Sequence, residues 1–114
     1  MDDKTKFELE FPIHASPQLL YQYISTPSGL SEWFADNVNS RGKKYIFIWN
    51  DSEEVAERIS QKTDVFIRFK WEEDDDDDTF FEMTIRIDDL TKEVALIVTD
   101  FYEDEDEEEE LTLL

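Results

Sequence analysis

The 114-residue chain carries 31 acids against 11 bases, a formal charge of −20, with no cysteine. This composition excludes a disulfide framework, a thiolate nucleophile and a cysteine-based zinc site, and the missing basic stripe excludes nucleic acid as a partner. Two acidic runs, Glu72–Asp78 and Glu103–Glu110, hold 15 of the acids; without them 16 acids face 11 bases, the net of −5 of a mildly acidic globule.

The length suits a single domain over residues 1–114, with a radius of gyration of about 13 Å. No apolar run approaches membrane-spanning length and Met1-Asp2-Asp3-Lys4 is no signal peptide, so a cytoplasmic protein with no membrane partner is expected. From Lys6 to His14 the apolar residues Phe7, Leu9, Phe11 and Ile13 alternate with Lys6, Glu8, Glu10 and Pro12. Period two predicts a half-buried strand, and Pro12, which cannot donate to a ladder, places that end at an edge or bulge. Ser16-Pro17 then opens a helix to about Ser25, with Leu19, Leu20, Tyr23 and Ile24 as its apolar side. Thr26-Pro27 repeats the signature of a capping hydroxyl followed by proline. It starts a second short helix whose Leu30, Trp33 and Phe34 share one face. So short a helix does not hold itself in water, so it must clamp a sheet.

The polar run Ala35–Lys44 reads as a connection whose Arg41-Gly42 turns into the next strand. Lys43–Asn50 is apolar on both faces, Tyr45, Phe47 and Trp49 against Ile46 and Ile48, which predicts a central strand under a helix. Asp51–Thr63 admits two readings. Val55 and Ile59 suit a helical turn, the preference of local propensity, and the same residues also alternate as a strand would.

Asp64–Trp71 and Thr79–Asp88 are predicted strands, with Val65, Ile67, Phe69 and Trp71 on one and Phe81, Met83, Ile85 and Ile87 on the other. Pairing them as a hairpin with Ile67 opposite Ile85, Phe69 opposite Met83 and Trp71 opposite Phe81 sets Lys70 against Glu82, an opposite-charge pair. A slip by one residue would turn the apolar row to solvent. Asp89–Lys92 leads into a last strand, Glu93–Phe101, again apolar on both faces and expected to leave apolar surface uncovered. Leu111–Leu114 reads as a helix near its start. Strand, two helices, then strands predict an antiparallel sheet with helices on one face, the α+β class.

Chemistry-bearing constellations are few. His14, the single histidine, stands at a strand end and reads as solvent-facing or locally bonded rather than as a general base. The run from Asp74 places Thr79 sixth and Ile85 twelfth, where a calcium loop needs Gly and Glu, so it reads as an acidic hairpin tip that repels other chains. Glu103–Glu110 reads as a solvated lead-in to a helix, with a docking tail for a basic partner as the alternative. With Gly29 and Gly42 as the only glycines there is no phosphate loop, and no cofactor, metal or catalytic set is expected. The aromatic residues are core residues by default.

Several stretches together carry a resemblance: Ala15-Ser16-Pro17, Leu20-Tyr21, Ile24 to Pro27, Gly29 to Phe34, Phe47-Ile48-Trp49, Phe69-Lys70-Trp71 and Val98 to Phe101. Over nearly the whole chain they resemble the START-like, or helix-grip, superfamily. The nearer likeness is to its branch of activators of the ninety-kilodalton heat-shock chaperone's ATPase. The resemblance implies a curved sheet in which Val55–Ser60 is a strand. It also implies a long C-terminal helix gripping the sheet; this chain ends at Leu114, so that helix is expected to be truncated or missing and its place taken by a second copy. Such domains enclose a cavity, which here would be lined by Leu30, Trp33, Phe34, Phe47, Trp49, Phe69, Trp71, Phe81 and Met83. The function expected is non-catalytic binding, either as a protein-interaction module of the chaperone-regulator kind or as a carrier or sensor of a small hydrophobic ligand, with a homodimer compatible with both.

Overall fold

The computed structural model describes residues 4–50, 52–74 and 78–103. Seven strands and two helices follow in the order β1 (Lys4–Ile13), α1 (Pro17–Ser25), α2 (Pro27–Trp33), β2 (Asn37–Arg41), β3 (Lys44–Trp49), β4 (Ser52–Lys62), β5 (Phe66–Trp71), β6 (Phe81–Ile87) and β7 (Val94–Glu103). The strands form one curved antiparallel sheet, ordered β1-β7-β6-β5-β4-β3-β2. From β2 onward each strand pairs with the next, and β1 closes the meander by pairing with β7 from Lys4↔Glu103 to Ile13↔Val94. Helices α1 and α2 lie on one face, which gives the α+β class.

The helices form where the sequence punctuates them. Ser16 Oγ accepts the Leu19 N–H at 3.1 Å and Pro17 takes the first helical position. Thr26 ends α1 and starts α2: its hydroxyl donates to Gln22 O at 2.7 Å and accepts the Gly29 N–H at 2.9 Å. The fold of one helix back along the other requires Gly29. A methyl there would lie 2.6 Å from the Tyr23 Cα and 2.8 Å from Thr26 Oγ1, nearer than real Cβ atoms come to backbone. Tight turns use residues that tolerate positive φ: Gly42 at 61° between β2 and β3, Asn50 at 50° between β3 and β4, and Asp64 at 65° between β4 and β5.

One core lies between the helices and the sheet. Ile24, Leu30, Phe47, Ala56, Ile67, Phe69 and Met83 have no solvent exposure. The helix-facing rows are odd-numbered in β3, β5 and β6 and even-numbered in β7 and in β4 up to its bulge at Arg58/Ser60, beyond which Gln61 pairs with Ile67 on that face.

Four expectations are corrected. Asn37–Arg41 is a strand rather than part of a connection. Its single inward apolar residue, Val38, gave no period to detect. Residues 52–62 form a strand, as the resemblance implies for Val55–Ser60, with pairing to both neighbours outweighing the helical propensity of Ser52-Glu53-Glu54. Strand β3 is penultimate rather than central, and β7 lies inside the sheet with Leu96 and Ile97 buried. The apolar surface left open belongs mainly to β1 and the end of β6, with Leu9 48%, Phe11 43% and Ile87 47% exposed. Finally, β5 and β6 pair two residues away from the expected register: Ile67 faces Met83, Arg68 faces Glu82 and Phe69 faces Phe81. A shift of two keeps every side chain on its face, so alternation does not distinguish the two registers. The Arg68 guanidinium does: its Nη2 lies 2.9 Å from Glu82 Oε2, while Lys70 Nζ reaches Thr79 O and Oγ1 at 2.9 Å each. The expected helix start at Leu111 and part of the acidic hairpin tip lie outside the described residues.

Candidate functional site

The residues expected to line a cavity fall into two groups. Leu30, Phe47, Phe69, Phe81 and Met83 are buried and packed together, with Phe47–Phe69 ring centroids 5.8 Å apart and Phe69–Phe81 6.2 Å apart. Phe34, Trp49 and Trp71 are half-buried around them. Phe34 is the hub, with its ring 5.4 Å from Phe47, 5.4 Å from Trp49 and stacked 5.3 Å from Phe81. Trp33 is 44% exposed.

Both indoles are tied to main chain. Trp33 Nε1 donates to Tyr23 O at 2.9 Å, pinning α2 against α1, and Trp49 Nε1 donates to Phe34 O at 2.8 Å, pinning the end of α2 against β3. Asp36 Oδ2 accepts the Asn50 N–H at 2.6 Å and holds the β3–β4 turn to the same corner. The result is a clamp whose aromatic edges open outward. An open groove of about 320 Å³ runs along Ser31, Trp33, Phe34, Asp36 and Trp49.

The second surface is the helix-facing side of β1 ahead of Ile13, which packs on the core; among the described residues α1 packs mainly on β5 and β6, and α2 on β2. Strand β1 is an edge, ten residues long, with Phe7 half-buried and Leu9 and Phe11 exposed. On its other face Lys6, Glu8 and Glu10 are exposed, and Arg86 Nη2 reaches Glu10 Oε1 at 2.6 Å. Both partners of that pair are more than half exposed, so the pair orients more than it stabilises. Beyond it, Arg68 lies 4.1 Å from the Phe80 ring centre, Phe80 packs edge-on against Phe101 at 5.2 Å, and Thr99 is buried under this minor cluster.

Groups with altered acidity do not converge on either surface. Burial, with Tyr45 nearby, holds the Tyr21 phenol above its ordinary value. The backbone N–H groups of Thr91 and Leu90 hold Asp88 below the ordinary carboxylate range, in the β6–β7 turn. His14 is exposed just beyond the end of β1. Among the described residues no three acidic or imidazole groups stand together as metal ligands, and no helix is long and apolar enough to cross a membrane. Sequence reading placed Leu9 and Phe11 in a half-buried row. The cue to their exposure was Pro12, which marked an edge.

The model of the START-like superfamily domain matches residues 1–113. A solution NMR structure of a Bacteroides fragilis protein is 34% identical with a TM-score of 0.70, covering 100% of this chain and 84% of that one. The Aha1 dimer of Colwellia psychrerythraea is 15% identical with a TM-score of 0.75, over 94% of this chain and 84% of that one. A conserved Enterococcus faecalis protein of unknown function is 19% identical with a TM-score of 0.65, over 90% of this chain and 58% of that one. The last two likenesses are in fold alone. No functionally curated protein matches the chain.

Proposed function

Because the chain belongs to the START-like superfamily, we propose that it works by binding, not catalysis, as a protein-interaction module of the chaperone-regulator kind. One observation carries the reading. Between helices and sheet, Leu30, Phe47, Phe69 and Met83 are packed together with no solvent exposure, and exposed apolar surface lies outside, on Leu9, Phe11 and Trp33. A carrier needs the reverse, an enclosed apolar cavity of roughly 300 Å³ or more beneath a polar exterior. The fold likeness to the Aha1 dimer supports the same reading and supports a homodimer.

The test is ATP turnover by the ninety-kilodalton heat-shock chaperone of the same organism, with and without the chain. Stimulation or inhibition that Leu9→Ser with Phe11→Ser removes, the variant remaining folded, is the expected result. No effect at any ratio rejects the chaperone-regulator reading.

The second reading, a carrier of a small hydrophobic ligand, rests on the outward-opening aromatic groove at Trp33, Phe34 and Trp49. Native mass spectrometry of the chain purified gently from its own cells separates the two. A reproducible adduct of a few hundred daltons favours the carrier, with Leu30, Phe47, Phe69, Trp71, Phe81 and Met83 moving apart to line the site.

A further inference from the structure

The exposed edge of β1 has a charge pattern that fits itself. Lys4-Thr5-Lys6-Phe7-Glu8-Leu9-Glu10 reads basic, basic, centre, acidic, acidic at its even positions about Phe7. All of β1 pairs on one side, to β7, so the other side of the strand is a sheet edge. Long flat edges with apolar residues are sites for pairing with another chain, and proteins ordinarily shorten or block them. Here the block is one proline, Pro12, near the strand's C-terminal end. A strand proline sits where its missing N–H faces away from the ladder. By alternation the backbone groups of Lys6, Glu8 and Glu10 face away from β7 too, and are available to a new strand.

We propose that β1 is the interface between two copies of this chain, joined antiparallel about a twofold axis at Phe7 into one continuous sheet. A twofold axis normal to the sheet preserves each face, so the numbers of paired residues sum to an even value. Four registers pair much of the strand, about Lys6, Phe7, Glu8 and Leu9. About Lys6 the two Lys6 residues face each other; about Glu8 the two Glu8 residues do; about Leu9, Glu8 faces Glu10 of the partner subunit; like charges directly opposite are unfavourable. About Phe7, Lys6 faces Glu8 of the partner subunit twice over by symmetry. On the helix-facing side Phe7 meets its own copy and Leu9 lies beside Thr5 of the partner subunit, which covers part of the exposed row. The occupant is a second copy because self-complementarity of charge is a property that no other partner requires. The inference does not rest on the chaperone-regulator reading and holds equally for a carrier.

The test uses the full chain in sedimentation velocity from roughly 1 μM to roughly 1 mM, at roughly 0.15 M salt, where screening shortens the repulsion between two chains of net charge −20 to about 8 Å. Wild type is expected to form a dimer. Lys6→Glu and Glu8→Lys are each expected to weaken it by roughly tenfold or more. Glu8→Lys lowers the net charge, so its weakening cannot come from overall repulsion. An equimolar mixture of the two single variants sets acid against base again and is expected to re-form the dimer, as is the double exchange within one chain. Should either single variant fail to fold, amide exchange on wild type that slows at Lys6, Glu8 and Glu10 with rising concentration locates the interface unaided. A monomer throughout, a dimer indifferent to both inversions, or a mixture no tighter than its components would overturn the proposal.

Discussion

The two edges of the sheet are opposites. Strand β2 is five residues long, polar but for Val38, and lies under α2, which touches it directly. Strand β1 is twice as long and, among the described residues, its Leu9 and Phe11 are exposed while α1 packs mainly on β5 and β6. Both edges leave one row of backbone groups unpaired by the sheet. At β2 that row is short, and its side chains Asn39, Ser40 and Arg41 are hydrophilic, the features that discourage pairing with a neighbour. The contrast teaches that the helices cover one end of the sheet and leave apolar side chains exposed at the other.

The sharpest way to break that contrast is to truncate the same residue type at both ends. Phe47→Ala, in β3 beneath the clamp, removes a ring with no solvent exposure that packs against Phe34, Tyr45, Trp49, Phe69 and Trp71. It should cost about 3–5 kcal/mol in urea unfolding. Phe11→Ala on β1 should cost under about 1 kcal/mol at concentrations where the chain is monomeric, since its ring is already 43% exposed. Equal losses would mean that β1 is covered in solution even without a partner.

Next in size is Gly29→Ala, expected to cost about 2–3 kcal/mol because the added carbon meets backbone of α1 that cannot yield independently. Its effect should fall on the β2 end and appear in amide exchange of α2, β2 and β3 before β1. Thr26→Ala removes the cap of α2 and is expected to cost about 1 kcal/mol, read from the same unfolding curves.

The smallest expected effect is Asp88→Ala. The depressed pKa of Asp88 means that its two backbone hydrogen bonds stabilise the turn above the unfolded pKa, about 3.9. That contribution is lost as pH falls through the lower folded pKa. Thermal midpoints of wild type and variant should therefore differ slightly at pH 7 and converge once pH has fallen through the lowered folded pKa.

Local punctuation carried most of the fold. Ser16-Pro17, Thr26-Pro27 and Gly29 specify two helices by capping chemistry and close approach, and both stand where the residues put them. Alternation in β1, β5, β6 and β7 gave the strands and their faces. What it did not give is anything set by a distant neighbour. Strand β4 is ambiguous alone and extended once β3 and β5 flank it. The β5–β6 register turns on Arg68 choosing Glu82, a choice invisible to a period-two pattern. Of the binding surface, the aromatic clamp was legible because Trp33 and Phe34 lie on a helix too short to stand alone. The exposure of Leu9 and Phe11 was legible only as far as Pro12 marked an edge, because it also depends on where α1 and α2 pack, which is mainly on β5, β6 and β2.

The central claim is that the β1 edge is occupied and the β2 edge is not. Amide hydrogen exchange of wild-type chain at a low and a high concentration tests it on one sample. The account predicts that Lys6, Glu8 and Glu10 slow as concentration rises while Asn39 and Arg41 do not change. Exchange that is independent of concentration at both edges, or that slows equally at both, would contradict it.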